Sequence, residues 1–444
     1  MEEDKSALVE KILKDVDNVM SKNAELYAFD IVPVECNFQN KSPVLHLENC
    51  LGLESWCVKH VYIYCYSELI DNFLAKPKRS LTTPVNSERL HKLINVTLLL
   101  NPDVSSLWNK RREMVLIGLL EKSSELQFTK LVLSRKPKSN DTFAYRRWLL
   151  QNIFTDETIH SNYMEELVNE ELRICELSSD RSPNNYHSWN HRIWLINILK
   201  NLRIQLDHKY YCIKEYAFSE KWSSQHISDF SCFHYRQFCI KNIYTIDDEK
   251  WQSFENNFDI NLRKNFIRIL AVNCPNDVVV QVTEESFVLH SADILVNLLL
   301  GYACRNCNCI QNNVLTCRKL EVLFYELVLN NELLRFYKSH ETLWYHRRFI
   351  IHEVIVAMYD HFDLVRQNGV LVKNTCRKCN KDSVRQKQVK IVRYDSNRVY
   401  SSTLFKILLN HEKKFIEERR NDFDDYAQRH EKYLKFVEGI DNAM

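Results

Sequence analysis

The sequence contains the segment PNNYHSWNHR at residues 183–192, in which a tryptophan is followed three positions later by an arginine. Residues three apart share one face of an α-helix, so Trp189 and Arg192 would point the same way. Pro183 stands six positions before the tryptophan and suits the start of a helix, where its missing N–H costs nothing. The segment therefore predicts a helix that begins just after Pro183 and presents an aromatic ring and a cation together.

The same spacing recurs along the chain, which indicates an internal repeat. The five aromatic and arginine pairs are Trp108 and Arg111, Phe143 and Arg146, Trp189 and Arg192, Phe233 and Arg236, and Trp344 and Arg347. Three of the five aromatics have a proline six residues earlier, at Pro102, Pro137 and Pro183. Amphipathic stretches such as residues 87–99 and 123–134 precede the pairs. Each unit thus predicts a helical hairpin, in which helix A leads through a turn into a helix B that carries the pair.

The aromatic and arginine pairs are interpreted as structural. Stacked repeats need the same contact at every junction between neighbouring hairpins. We expect the aromatic ring to wedge between hairpins and the arginine to reach carbonyls or carboxylates of the next unit.

Composition excludes several fold classes. The chain has 444 residues but only 5 glycines and 8 prolines. Glycine supplies the positive φ angles of tight hairpins and the backbone that presses against phosphate, so hairpin-rich β folds and glycine-rich phosphate loops are disfavoured. Little in the sequence breaks helices, and a chain of this length is over-large for one core. An all-α, elongated repeat array is the prediction.

Charge and cysteine content limit the partners and the compartment. Lys and Arg number 60 against 58 Asp and Glu, a net charge of +2, which disfavours a dedicated nucleic-acid surface and the related half-TPR repeats of RNA-processing proteins. The chain starts with the acidic residues MEED, unlike a secretory signal, so its 15 cysteines are expected to be reduced in the cytoplasm. The most apolar stretch, 287–304, contains His290 and Asp293, so no membrane-spanning segment is expected.

The repeat pattern divides the chain into four predicted parts. Residues 1–80 form an N-terminal helical extension, with helices near 5–22 and 54–74 around an irregular stretch, and residues 81–361 form the repeat array with a Cys-rich insertion at 301–317. A Cys-rich and basic loop follows at 362–397, and a C-terminal helical hairpin at 398–444. In that hairpin Tyr426 and Arg429 take the aromatic and arginine places of a degenerate repeat.

The segments at 183–192 and 137–148 resemble the α-subunit repeat of protein prenyltransferases. The resemblance implies a crescent of helical hairpins, a right-handed α-α superhelix, around a β subunit of the Rab type. It implies an enzyme active only as a heterodimer, with zinc in the β subunit and no cofactor in this chain. Geranylgeranyl diphosphate would be the co-substrate, and cysteines near the C-termini of Rab GTPases or a SNARE the acceptors. The alternative is a non-catalytic scaffold of the same ancestry.

By position, the resemblance assigns Lys138, Tyr186 and His187 to the diphosphate leaving group. The pattern also places all three in the first turn of a B helix, where unpaired N–H groups and the helix dipole favour an anion. A cation, a phenol and an imidazole there could neutralise charge on a departing diphosphate. The alternative is a solvated lysine beside a packed Tyr-His pair. Asp141 stands where enzymes that read a C-terminal CaaX box have a glutamine, so direct reading of a peptide carboxylate is disfavoured.

The cysteines of the insertion and of the basic loop have a spacing that can bind a metal ion. Two C-x2-C pairs, Cys304 with Cys307 and Cys376 with Cys379, could together supply four thiolates to a structural zinc ion. Unligated reduced thiols are the simpler interpretation, so no metal is predicted. The basic run 377–393 is interpreted as a solvated loop, with contact to a partner or an acidic lipid surface as the alternative.

Overall fold

The computed structural model describes residues 2–34, 42–74, 84–156, 160–201, 206–257, 262–273, 299–300, 310–367, 402–419 and 425–439. The chain divides into two compact units, residues 1–208 and 209–444. Helices dominate both units, and the predicted all-α class with its helical hairpins is confirmed. The boundaries between the four predicted parts stay predictions.

The first unit contains eight of the described helices. They are α1 (Glu2–Lys22), α2 (Ser55–Leu69, extended by a π-helical turn at Ile70–Leu74), α3 (Pro84–Leu100), α4 (Ser105–Leu116), α5 (Lys122–Arg135), α6 (Asn140–Phe154), α7 (Ser161–Arg181) and α8 (Tyr186–Asn201). From α3 onward they form three hairpins, each an A helix followed by a B helix. A helices pack on A helices and B helices on B helices, as α3 on α5 and α4 on α6. The B helices α4, α6 and α8 carry the aromatic and arginine pairs.

A three-stranded sheet occupies the stretch of the N-terminal extension that the sequence predicted to be irregular. Its strands are β1 (Ala28–Val32), β2 (Val44–Leu47) and β3 (Cys50–Glu54), in the order β1-β3-β2, with β1 parallel and β2 antiparallel to β3. A side chain at Gly52 in the central strand would be crowded, because a Cβ atom would lie 3.2 Å from the Val32 side chain and 3.3 Å from that of Leu45. The Phe29 N–H donates to Ser134 Oγ of α5 at 2.9 Å, which anchors the sheet to the second hairpin.

The second unit repeats the hairpin plan around an insertion. Its helices are α9 (His208–Gln225), α10 (Phe230–Ile243), α11 (Asp248–Asn257), α12 (Leu262–Asn273), α13 (Ile310–Phe336), α14 (Glu341–Gln367), α15 (Thr403–Glu417) and α16 (Asp425–Gly439). The hairpins are α9–α10, α13–α14 and α15–α16, and α11 and α12 separate the first from the second. Phe233, Trp344 and Phe415, one from each hairpin, meet in a shared apolar core.

The cysteines Cys304, Cys307, Cys376 and Cys379 and the basic run 377–393 lie outside the described residues. Within the described ranges, no group of His, Cys, Asp and Glu side chains is arranged to hold a metal ion. None of the helices in those ranges has an apolar stretch long enough to cross a bilayer.

Repeat junctions and the candidate active-site edge

A buried ion pair holds each described junction between neighbouring hairpins within a unit. Arg111 donates through Nε and Nη2 to both carboxylate oxygens of Glu125, at 2.7 and 2.6 Å. Arg347 likewise donates through Nε and Nη2 to the two carboxylate oxygens of Glu412, both at 2.8 Å. The equivalent pairs are Arg146 with Glu171 and Arg236 with Glu326. In each case the glutamate lies on helix A of the following hairpin, and the two-pronged geometry is the strongest that arginine offers a carboxylate.

A tyrosine or histidine completes each contact. It lies on helix B of the hairpin that supplies the glutamate, and where that helix carries a repeat aromatic it follows the aromatic by two residues. Tyr145 donates its hydroxyl to Glu125 at 2.6 Å, and His191 Nε2 lies 3.0 Å from Glu171. The other two are His346 on Glu326 and His430 on Glu412. Tyr235 makes the same kind of bond to Glu215 within the α9–α10 hairpin. We call the arginine, the glutamate and this third residue a junction triad.

The repeat aromatics pack over the junction triads. Trp108 lies 5.0 Å from the ring of Tyr145, and Phe143 lies 5.2 Å from that of His191. All ten residues of the predicted aromatic and arginine pairs are buried. Among them, Arg192 donates from Nη1 to the Leu172 carbonyl at 2.9 Å.

Burial and pairing act in opposite directions on the triad glutamates. Burial alone would raise the pKa of Glu171, but Arg146 and the His191 hydrogen bond lower it to about 2. Burial also lowers the pKa of His191, which keeps the ring neutral at physiological pH. Its Nδ1 is buried without a hydrogen-bond partner in the described structure, as expected for a neutral ring that donates from Nε2. The triad thus carries one positive and one negative charge, sealed from water.

The C-terminal hairpin joins this scheme in a different register from the predicted one. The prediction placed Arg429 at the junction, but Arg429 is exposed and its guanidinium lies 5.2 Å from the Tyr426 ring. His430 occupies the triad position instead, with Nε2 at 2.8 Å from Glu412. The Tyr426 and Arg429 assignment is therefore wrong. In this last described hairpin, Glu412 accepts the hydrogen bonds of Arg347. The buried His430 supports Glu412, and this contact decides which face of α16 packs against the junction.

The B helices of the first unit begin along one edge, where side chains fix the turns to one another. Ser139 caps α6 by accepting from the Thr142 N–H at 3.3 Å. Asn185 caps α8 by accepting from the Ser188 N–H at 3.2 Å. Its amide also donates to the Pro137 carbonyl at 2.6 Å. This last bond ties the start of α8 to the turn between α5 and α6.

Lys138, Tyr186 and His187 come together on this edge. Lys138 lies in the α5–α6 turn, one residue before the Ser139 cap, and is exposed, so its predicted place in the first helical turn is corrected. Tyr186 begins α8 with 56% of its surface exposed, and the His187 ring lies 5.9 Å from its own. The Asn185 bond to Pro137 places Lys138 beside the start of α8.

Charges around His187 include a cation that sequence reasoning missed. Burial chiefly lowers the pKa of His187, and Arg147 and Lys138 lower it further, against the opposing pull of Asp103. Arg147 is half-buried on α6, and its signal in the sequence was the doubled arginine at 146–147. We call Lys138, Arg147, Tyr186 and His187 the candidate edge.

Two carboxylates border the candidate edge. Asp141 accepts from Ser105 Oγ of α4 at 2.5 Å, and Asp103 accepts from Ser139 Oγ at 3.3 Å. With Lys138 and Arg147, the four groups sum to no net charge. Chemically, the edge can hold an anion through two cations, a phenol, an imidazole and two helix N-termini, with the carboxylates limiting how much negative charge it tolerates.

Comparisons with known proteins agree with the repeat geometry. Residues 123–153, 168–199, 212–243 and 323–354 match the protein prenyltransferase alpha subunit repeat. The chain is 32% identical over 372 residues to protein prenyltransferase alpha subunit repeat-containing protein 1-B of Xenopus laevis, which covers 80% of this chain and 75% of that protein. Protein prenyltransferase alpha subunit repeat-containing protein 1 of Homo sapiens is 29% identical over 364 residues, with 79% of each chain covered. The chain belongs to the protein prenyltransferase alpha subunit repeat family.

The family repeat and the junction triads coincide. The first and last matched stretches each contain a junction glutamate on helix A and a junction arginine on helix B, Glu125 with Arg146 and Glu326 with Arg347. The two middle stretches contribute Glu171 and Arg236 to the described junctions. The hairpins α3–α4 and α15–α16 lie outside the matched stretches, yet Arg111 and Glu412 make the same contacts. A more distant similarity, 26% identity over 170 residues, links the chain to geranylgeranyl transferase type-2 subunit alpha of Rattus norvegicus and covers 36% of this chain and 27% of that protein.

Proposed function

We propose that the chain is the α subunit of a protein geranylgeranyltransferase heterodimer and that the candidate edge contacts the diphosphate of geranylgeranyl diphosphate. The single observation that carries the proposal is the meeting of Lys138, Tyr186 and His187 at two B-helix starts in a member of this family. The partial similarity to a geranylgeranyl transferase alpha subunit supports the reaction class. The β subunit, of the Rab type, would hold the zinc ion that activates the substrate thiol, and this chain would work in the cytoplasm.

In this reaction the proposed role of the chain is to stabilise the diphosphate leaving group. The substrate sulfur bonds to C1 of the geranylgeranyl group while the C1–O bond breaks, and the electron pair leaves with the diphosphate. Lys138 would offset the charge that develops on the diphosphate, and the Tyr186 hydroxyl and a neutral His187 N–H would donate hydrogen bonds to its oxygens. Arg147 would add positive potential from its half-buried position.

The bordering carboxylates restrict the substrate. Asp141 would repel the free carboxylate of a CaaX peptide, which carries a charge of the same sign. Acceptor proteins would therefore be presented through contacts elsewhere, as suits Rab GTPases or a SNARE. This leaves the edge to the diphosphate alone.

Reconstitution tests the proposal directly. The full chain is co-expressed with a Rab-type β subunit, purified, and incubated with geranylgeranyl diphosphate and a Rab or SNARE acceptor. We expect an equimolar complex that adds one geranylgeranyl mass to an acceptor cysteine, whereas the chain alone adds none. A stable complex without transfer would favour the scaffold of the same ancestry, and failure to form any complex would contradict the proposed partner.

A further inference from the structure

A cavity of 540 Å³ opens between α9 and α13, the A helices of two successive hairpins in the second unit. One wall includes Glu220 and Lys221 of α9. The α13 wall combines the apolar Leu329, Leu333 and Phe336 with polar residues that include Glu326 and Glu332. Phe336 stands at this groove with 82% of its surface exposed. We call this cavity the α9–α13 groove. It lies on the A-helix side of the hairpins, whereas the candidate edge lies where B helices begin.

The equivalent groove of the first unit, between α5 and α7, is smaller and is bridged by charged side chains. Its volume is 240 Å³. Lys130 of α5 spans it to Glu170 of α7 at 2.7 Å, and Arg181 donates across it to the Ser134 carbonyl. We call this cavity the α5–α7 groove. Its bridging side chains reduce the space that a ligand could enter.

Counting from the triad glutamates shows what replaces those bridges. Five residues after the glutamate, α5 has Lys130 and α9 has Glu220. Ten residues after it, α7 has Arg181 and α13 has Phe336. Where the α5–α7 groove has the cations Lys130 and Arg181, the α9–α13 groove therefore has a carboxylate, Glu220, and an exposed aromatic ring, Phe336.

The lining of the α9–α13 groove contains one more carboxylate than it has lysine and arginine side chains. Arg236 already holds both oxygens of the buried Glu326, and it also donates to Glu220 at 3.0 Å. Two carboxylates therefore share one guanidinium. Glu332 and Lys221 add one charge of each sign, so the glutamate, lysine and arginine side chains of the lining sum to a formal charge of −1. Tyr325 donates to Glu220 at 3.1 Å, a neutral contact that offsets none of this charge.

We infer that the α9–α13 groove binds an arginine or lysine side chain from a basic peptide segment of a partner protein. The cationic head meets Glu220, whose only cation in the described structure, Arg236, is shared with Glu326. The aliphatic stem packs on Leu329, Leu333 and Phe336. An arginine head also stacks on the exposed Phe336 ring. Charge complementarity selects this occupant over an acidic or purely apolar one.

The proposal is tested with the full chain and a fluorescent peptide, acetyl-Leu-Arg-Leu-Gly-Arg-Leu-amide, followed by fluorescence anisotropy at low salt. A matched peptide with glutamate at both arginine positions is the first control. We expect binding of the basic peptide only. Equal binding of both peptides, or of neither, overturns the proposal.

Variants locate the binding. Glu220→Lys introduces the residue type found in the α5–α7 groove and should weaken binding about tenfold or more, since a charged hydrogen bond is replaced by repulsion. Phe336→Ala, at an exposed site that cannot affect folding greatly, should weaken it several-fold. Lys130→Glu, the reciprocal change in the α5–α7 groove, should leave the affinity unchanged. If both groove variants bind like the wild type, or if Lys130→Glu changes affinity as much as they do, the assignment to this groove is wrong.

Discussion

The buried junctions and the exposed candidate edge are built from the same hairpins but use opposite kinds of residue. At a junction such as Arg146–Glu171–His191, every charge is matched and excluded from water. On the candidate edge, Lys138 and Tyr186 face solvent a few residues away in sequence. The position five residues before the aromatic reads Asp103, Lys138, Asn184, Ser228 and Ser339 along the chain, whereas the arginine three residues after it is invariant among the five units. Repeated positions hold the fold, and variable positions are free for function.

Removing a junction arginine should have the largest effect. Arg347→Ala leaves Glu412 buried beside a neutral His430, and we expect a loss of about 3–5 kcal/mol in the free energy of unfolding. Urea unfolding followed by circular dichroism measures it. Arg429→Ala is the matched control, because Arg429 is exposed on the same hairpin pair and should cost less than about 0.5 kcal/mol. Equal losses from the two variants would contradict the register described above.

Acid should destabilise the fold in a defined window. Burial lowers the pKa of His91 and His361 from 6.5 to about 4, so between these values the unfolded chain binds more protons than the folded one. Their contribution is complete above pH 6.5 and is lost as pH falls toward 4. We expect a loss of about 3 kcal/mol between neutral pH and pH 5 from urea titrations. His91→Asn and His361→Asn together should flatten this slope. A slope unchanged by the double variant would refute the assignment.

Edge substitutions should change transfer without changing stability. Tyr186→Phe and His187→Ala each remove one donor to the diphosphate, and we expect each to lower the rate of the reconstituted enzyme about tenfold. Their melting temperatures should match the wild type, as both side chains are at least partly exposed. Tyr163→Phe, on an exposed tyrosine of α7, serves as the control and should leave the rate unaltered. A rate loss that tracks a fall in melting temperature would assign these residues to the fold instead.

Asn185 belongs to both regions, and two substitutions can separate its roles. Asn185→Ala removes the α8 cap and the bond to Pro137, and we expect a stability loss of about 1 kcal/mol with slower transfer. Asn185→Ser keeps an oxygen that can cap the helix but loses the amide that donates to the Pro137 carbonyl. It should therefore retain more of the stability than Asn185→Ala while still slowing transfer, because the turn that carries Lys138 is released. Full activity in the Ser variant would contradict a positioning role for Asn185.

The sequence predicted the arginine of each junction but not the glutamate that it binds. The spacing of three between aromatic and arginine lies within one helix, so it survives every loop insertion. The glutamates escaped because their distance from the arginine is 14, 25, 90 or 65 residues, as loops and the α11–α12 insertion intervene. A steadier signal existed within the hairpins, where Tyr145, His191, Tyr235 and His346 each lie 20 residues after their glutamate.

The sheet and the exact place of Lys138 were missed for local reasons. The strands are only four or five residues long. β1 and β3 are parallel neighbours in the sheet although β2 lies between them in the sequence, so no tight turn in the sequence indicates that they pair. Lys138 precedes the helix because Ser139 takes the cap, a competition between neighbouring polar residues that the repeat pattern does not resolve. The grouping of Lys138 with Tyr186 and His187 depended on the Asn185 bond across two hairpins, which no spacing encodes.

The most direct test of the central claim is the single-turnover rate of geranylgeranyl transfer by the reconstituted heterodimer containing Lys138→Ala. Lys138 is exposed in a turn, so the variant should fold and bind the β subunit like the wild type. We expect its rate to fall about a hundredfold, because a cation that acts on the departing diphosphate is lost, and we expect Lys138→Arg to recover part of it. A wild-type rate in Lys138→Ala would contradict the account and leave the candidate edge without a part in the reaction.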